Sequence, residues 1–249
     1  MKKENIRTRQ FDTTRDSFTR LVEMHRLIFE GNNLQNKLVY FTHNFLEYLK
    51  SAVKSNLNDF YLLEVDGIVE GFIHYRTQDK FVFVNNLYVS KNARGNGVGG
   101  FFFKKTLQKF ERYDETVLEV FLSNSNVVDW YYRMGFKEIA RKSWHEFHLL
   151  PEINHVNGNF INQKDENGFE SIFYENKKVA TIVNNYLLVH DRIAFTDEMF
   201  SKYRVITNLE LGDTTQIWKD QYGPIVQLDQ TLRLKGKTKD ILHYLLSYD

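Results

Sequence analysis

Residues 86–100 read Asn-Leu-Tyr-Val-Ser-Lys-Asn-Ala-Arg-Gly-Asn-Gly-Val-Gly-Gly, an apolar strand end running into a glycine-rich turn. The next residues, Phe101 to Tyr113, have helical spacing, with Phe101, Phe102, Leu107 and Phe110 as the expected buried face. A glycine-rich turn between a strand and a helix is an anion site. Without side chains the backbone N–H groups approach a phosphate closely, and the helix N-terminus adds partial positive charge. No Gly-Lys-Ser/Thr follows, which excludes a P-loop. The glycine spacing also differs from the dinucleotide fingerprint G-x-G-x-x-G. A tight turn without a ligand is the bland alternative.

Outward from the turn, the pattern is mixed α/β. Upstream, residues 13–30 and 34–55 are expected helices, the first with Thr13 or Thr14 as its N-cap and with Gly31-Asn32-Asn33 after it. From Asn58 the period changes: FYLLEV, Asp66-Gly67 and IVEGFIHYR predict a hairpin with a type I′ turn, and Lys80–Ser90 predicts another strand. Downstream, Thr116–Leu122 is an expected strand, Asn126–Met134 a short helix and Phe136–Leu149 a long strand, giving the order ααβββαβαβ. Residues 151–168, which begin with Pro151 and are rich in Asn and Gly, predict a linker. Residues 169–249 then predict a second, smaller α+β domain: a strand-turn-strand at 170–191, a short helix at Asp197–Tyr203, strands in TTQIWKD and QTLRLK, and a last helix at Thr238–Tyr248. The segment Phe173–Tyr186 weakly echoes the hairpin at Tyr61–Tyr75, within what chance allows.

Composition narrows the function classes. The 249 residues are 42% hydrophobic and 15% aromatic, enough for a packed core. A formal net charge of +1 gives no electrostatic argument for a nucleic acid or an anionic membrane as partner. With no cysteine there is no disulfide, thiolate metal site or cysteine nucleophile, which fits the cytoplasm. The polar start MKKENIRTRQ leads into no apolar stretch, so neither a signal peptide nor a membrane helix is expected. The eight histidines show no ligand-like spacing, so no metal is expected.

The string Leu87-Tyr88-Val89 followed by Arg94-x-x-Gly97-x-Gly99 resembles the acetyl-CoA motif of the GNAT family of N-acetyltransferases. Downstream, Asn124, Tyr131 and Gly135-Phe136 resemble that family's Asn…Tyr-x-x-x-Gly-Phe segment. The resemblance covers about residues 10–150, so that 1–150 is the expected acetyltransferase domain. It implies an α/β, mixed-sheet fold of the GNAT type in which two parallel strands splay apart around the pantetheine arm of acetyl-CoA. Leu87, Tyr88 and Val89 would pair with the arm as a pseudo-strand. The amides of Gly95, Asn96, Gly97, Val98, Gly99 and Gly100 would hold the pyrophosphate, with Arg94 adding a charge-assisted bond. Asn124 would bind the arm from the far side. Lys104 and Lys105 are expected as solvated helix lysines, within reach of phosphate.

In the same resemblance Tyr131 takes the position of the general acid for the leaving thiolate; its alternative is a packed ring beside Trp130 and Tyr132. The implied activity is direct acetyl transfer to a primary amine in a ternary complex, since no cysteine can carry an acyl group. Many family members place a Glu on the strand before the glycine turn, but here that stretch is Val84-Asn85-Asn86-Leu87. A water held by Asn85 or Asn86 would relay the proton instead, and His74 is the other candidate base. Glu70 and Glu119 are expected as surface or structural charges. The missing carboxylate also admits a catalytically weak, CoA-binding regulatory or scaffold protein. For residues 151–249 three roles stand open: a partner-binding module including Trp218, a self-contained small domain, or a degenerate second acetyltransferase half, against which stand its shortness and missing glycine loop. Homodimerisation stays open.

Overall fold

The computed structural model describes residues 5–95, 97–148, 160–191, 202–208 and 225–248. In chain order its elements begin with β1 (Ile6–Gln10), α1 (Phe18–Leu27), α2 (Phe45–Lys54), β2 (Asn58–Val65), β3 (Ile68–Thr77), β4 (Phe81–Val89) and α3 (Val98–Leu107). There follow β5 (Glu115–Phe121), α4 (Ser125–Arg133), β6 (Lys137–His148), β7 (Phe160–Lys164), β8 (Glu170–Tyr174), β9 (Lys177–Val183) and β10 (Tyr186–Val189). The last are β11 (Arg204–Thr207), β12 (Val226–Lys237) and α5 (Thr238–Tyr244). The expected helix at 197–203 and strand at 214–220, with Trp218, fall wholly or mainly outside the described residues. Among the described residues no helix is long and apolar enough to cross a membrane.

The chain divides into two compact units that do not follow the linear division at residue 150. Unit 1 is Met1–Ile28, Leu49–Arg141 and Leu232–Asp249; unit 2 is Phe29–Tyr48 and Lys142–Thr231. The reason is burial. Leu232, Leu234, Ile241 and Leu245 join the core that Ile73, Tyr75, Val84, Phe102, Phe103 and Phe136 build in unit 1. Thr238 is fastened there by its amide on Asp114 O (3.0 Å) and its hydroxyl on that of Thr116 (3.0 Å). The expected linker also differs: residues 160–164 form β7, and Asp165–Gly168 form the turn into β8.

In unit 1 the strands run β1-β2-β3-β4-β5-β12-β6, β6 and β12 contributing their halves up to Arg141 and from Leu232. β1 to β4 are antiparallel neighbours, and β4 to β5 is the parallel step. The β2–β3 turn is left-handed at both central residues, Asp66 (φ 50°) and Gly67 (φ 81°), as the Asp-Gly pair predicts. Period 2 then sorts the side chains: Phe60, His74 and Asn86 form one cross-strand row, and Leu62, Phe72 and Tyr88 form the next on the same face. Tyr75 points the other way and bonds Thr106 of α3 (2.9 Å). The buried face of α3 uses Phe102, Phe103 and Leu107, while Phe101 is only partly covered.

Two expected helices are shorter than predicted. Ser17, not Thr13 or Thr14, caps α1, because Asp12 takes both the Thr14 amide and its hydroxyl in a turn. Residues 34–55 split into a 3-10 turn (Val39–Phe41) and α2: Thr42 is extended, and its hydroxyl bonds Val39 O (2.8 Å).

Unit 2 runs β6-β11-β10-β9-β8-β7 around Phe147, Ile172, Val179, Leu187, Val189 and Val205. Its strand directions repeat those of unit 1, with antiparallel steps from β7 to β10 and then a parallel step from β10 to β11. The segment 29–48 is tied into it by Lys37 on buried Glu146 (2.7 Å) and by Asn44 Nδ2 on Gly168 O (2.9 Å). Arg204 is the second cation on Glu146.

Two predictions follow from the packing in unit 1. A Cβ at Gly71 would lie 2.5 Å from Tyr88 O, so Gly71→Ala is expected to lower stability by about 1–3 kcal/mol in urea unfolding; without that collision alanine would stabilise a strand. His25, wholly buried with Nδ1 on Leu21 O (2.8 Å), has its pKa lowered to about 3 by desolvation, and His74 is likewise pushed well below the ordinary value. Below pH about 6.5 the unfolded chain therefore binds protons that the folded chain refuses. Stability should be full above that pH and fall as pH drops toward 4, with His25 alone contributing about 1.4 kcal/mol per pH unit. His25→Phe should remove the His25 share of that slope in urea unfolding measured between pH 7 and 4, leaving a shallower fall from His74 and His190.

Candidate functional site

β4 and β5 pair in parallel over four rungs, from Phe81↔Glu115 to Val84↔Leu118, and then part. β4 continues as Asn85–Val89 with, among the described residues, only β3 beside it. The register explains the change of course: His74 faces Asn86 and Tyr75 faces Val84, so Asn85 is an extra residue, a bulge at the point of parting. The far end of the free stretch is pinned. Ser90 N bonds Glu70 O (2.7 Å), the Ser90 hydroxyl bonds the Glu70 carboxylate, and Arg94 Nε bonds Val89 O (2.9 Å). Glu70 is thus structural, while Glu119 lies 4.0 Å from Arg233. An extended edge five residues long, open on one side, is what an extended ligand needs in order to pair as a strand.

The glycine turn closes this lane at the Val89 end. Gly95 (φ 97°) and Gly97 (φ 78°) occupy the left-handed region, and Gly97 is the N-cap of α3. Val98 N is used by Gly95 O and Phe101 N by Gly97 O, so among the described residues the Gly99 and Gly100 amides are the first-turn donors left without an acceptor. A Cβ at Gly95 or Gly99 would meet nothing within 4 Å, so the turn is open to a ligand. Arg94 is exposed and, beyond Nε, keeps its two terminal nitrogens for an anion. Asn96 lies outside the described residues. Lys104 departs from expectation: it is 1% exposed rather than solvated. Lys105 sets its ammonium 5.6 Å from the Phe101 ring.

On the β5 side, exposed Asn124 is the N-cap of α4, yet its side chain makes no capping bond. Its amide therefore stays available at the end of β5. Tyr131, in the last turn of α4, is 5% exposed, packed on Trp130 (5.0 Å) and Phe136 (5.4 Å). Burial pushes its phenol well above the ordinary range, so the hydroxyl stays protonated at every working pH. It has no hydrogen-bond partner among the described residues.

At the bulge lies a polar chain that sequence reasoning did not assemble. Asn58 Oδ1 accepts from His74 Nε2 (2.8 Å), and His74 Nδ1 accepts from Asn85 Nδ2 (3.0 Å). Asn85 Nδ2 also donates to Asn86 Oδ1 (2.7 Å), and the His74 ring stacks on Phe60 at 4.0 Å. His74 is buried and neutral, and its only lone pair is occupied, which removes it as a ready base. The period-2 rows would have placed His74 beside Asn86; the contribution of Asn58 depends on register and carries no sequence signal.

Among the described residues unit 2 has the parallel step but not the opening. All four residues of β10 pair with β11, and the connection from residue 190 to 203 contains no glycine. Among the described residues no group of three His, Asp or Glu is placed to hold a metal.

Comparison with known proteins agrees with this geometry. Residues 33–148 match the family model described as an acetyltransferase (GNAT) domain. No curated protein matches the chain in sequence. Among solved structures, a tandem GNAT protein from the clavulanic acid biosynthesis pathway superposes with a TM-score of 0.67 at 10% identity, covering 94% of this chain and 99% of that one. A putative acetyltransferase from Pyrococcus horikoshii superposes with a TM-score of 0.64 at 12% identity, covering 93% and 89%. At such identities the likeness is one of fold, and it extends over both units. Residues 33–148 are thus similar to a GNAT acetyltransferase domain, and the fold around them is of the GNAT type.

Proposed function

We propose that unit 1 binds acetyl-CoA in the opening between β4 and β5 and transfers its acetyl group directly to a primary amine. The observation that carries this reading is the coincidence of three features in one lane: a parallel pair that parts after four rungs, a strand edge unpaired among the described residues, and a glycine turn at its end whose Gly99 and Gly100 amides have no acceptor among them. Asn85–Val89 would pair with the pantetheine arm, the turn and Arg94 would take the phosphates, and Asn124 would hold the arm from the β5 side. In the reaction the amine nitrogen bonds to the thioester carbon, the C–S bond breaks, and the sulfur leaves with the electron pair and needs one proton. Tyr131 is the proposed donor of that proton, because burial keeps its hydroxyl protonated. Unit 2 keeps the strand order, and among its described residues β10 pairs along its whole length, so one acetyl-CoA per chain is expected.

A second reading, a CoA-binding protein with little turnover, draws on one observation: the stretch before the glycine turn offers Asn85 and Asn86 where a carboxylate would be the ready base.

A thermal-shift titration separates these from no binding at all. Acetyl-CoA at about 100 times its Kd should stabilise by about 2.7 kcal/mol, a rise of several degrees in Tm. The rise should be absent with NAD and lost in Gly97→Glu. No shift at millimolar acetyl-CoA would sink the proposal. Tyr131→Phe should keep the shift and lose about 100- to 10,000-fold in kcat, consistent with one general acid. Full shift with no transfer to any of a panel of amines would favour the second reading.

A further inference from the structure

Resting on the acetyl-CoA reading above, the orientation of one amide at the bulge says which amines the site takes. The unpaired lane from Asn85 to Val89 is about 16 Å long at 3.3 Å per residue. Its Val89 end holds the glycine turn and the phosphates, so the reactive end of an extended pantetheine arm falls at Asn85.

Both hydrogens of the Asn85 amide are committed, one to His74 Nδ1 and one to Asn86 Oδ1. Flipping the amide would set its oxygen against the lone pair of His74 and against the Asn86 oxygen. The His74 ring cannot turn to relieve this, because Nε2–H is held by Asn58 and the ring is stacked on Phe60. Asn85 Oδ1 is therefore fixed as the outward acceptor, with no partner among the described residues. We infer that Asn85 is the residue that orients the acceptor amine through Oδ1, that His74 is its positioning residue, and that the substrates are weakly basic amines such as peptide α-amino groups rather than lysine side chains.

The selectivity follows from what an amide oxygen cannot do. It accepts a hydrogen bond from the amine but does not take a proton at neutral pH, so the amine must lose its proton to water before attack. At pH 7.5 roughly a quarter of an α-amine of pKa about 8 is neutral, against about 0.1% of a lysine amine of pKa about 10.4. That is a factor of about 200, offset in part by the greater nucleophilicity of the lysine nitrogen. In the transfer step N–C forms and C–S breaks. The sulfur takes one proton, and the new ammonium nitrogen gives one to water, so the products are the amide and free CoA thiol. The charged and titratable groups facing His74 are His25 from α1 and Arg76 from β3, and both act against its protonation.

The test compares dialanine, an α-amine, with Nα-acetyl-lysine amide as acceptors for the full chain with acetyl-CoA from pH 6.5 to 9.5. Each kcat/KM should follow the neutral fraction of its own amine. Dialanine should lead by at least tenfold at pH 7.5, and its lead should shrink about 20-fold by pH 9.5. Asn85→Ala should lose at least tenfold in kcat/KM for the amine while unfolding in urea as cooperatively as the wild type. Asn85→Asp, which adds a carboxylate, should flatten the lysine profile. In the wild type, ¹⁵N shifts of His74 should report the neutral Nε2–H tautomer. A break near pH 6–7 common to both amines, a lysine preference at pH 7.5, no transfer to either amine, unchanged activity in Asn85→Ala, or an Nδ1–H tautomer would overturn the inference. If the wild type still shows the acetyl-CoA shift, only this inference falls; without that shift the cofactor reading falls with it.

Discussion

Two parallel strands that pair over four rungs and then part are the feature on which the proposed acetyl-CoA site depends. Pairing between parallel strands normally runs on until a strand ends, because each unpaired backbone group has to find another partner. Here β4 outruns its pairing by five residues, and the surrounding structure stabilises that state from the other side. Gly71 lets β3 approach the Tyr88 carbonyl more closely than any side chain would allow. Glu70 and Arg94 fasten the two residues at the end of the strand, Ser90 and Val89. The bulge at Asn85 supplies the bend. Without these, the edge would collapse onto its neighbour or fray.

The two units share a strand plan and differ in one connection. Between β4 and β5 lie a glycine turn and α3, whose Phe102 and Phe103 carry much of the core of unit 1. Between β10 and β11 the chain has fewer residues and no glycine, and β10 is no longer than its pairing. The end of the chain completes unit 1 instead. Burying Leu232, Leu234, Ile241 and Leu245 stabilises by roughly 1.5–3 kcal/mol per side chain, which sets the position of β12 between β5 and β6 more strongly than any local preference of the sequence.

How much of this the sequence discloses depends on whether the cause is local. The Asp66-Gly67 turn, the strand-turn-helix around Gly97 and the period-2 rows of β3 and β4 are legible because their determinants lie within a few residues. The echo between Phe173–Tyr186 and Tyr61–Tyr75, slight in sequence, falls on β8–β9 and β2–β3, which occupy the same places in the two strand plans. What the sequence withholds is non-local. The break at Thr42, the return of residues 232–248 to unit 1, and the Asn58–His74–Asn85 chain all depend on partners far along the chain or on register. Lys104 illustrates the limit: on helix α3 a lysine reads as a solvated charge, yet the packing around Phe102 and Phe103 encloses it.

The central claim is that one unit, and one lane within it, takes acetyl-CoA. Amide hydrogen exchange followed with and without CoA measures this most directly, since every backbone group that pairs with the ligand should slow. Protection is expected in 85–89 and at the Gly97–Phe101 turn, with 186–189 and 204–207 unchanged. Protection spread over β10 and β11, or no change along β4, would contradict it.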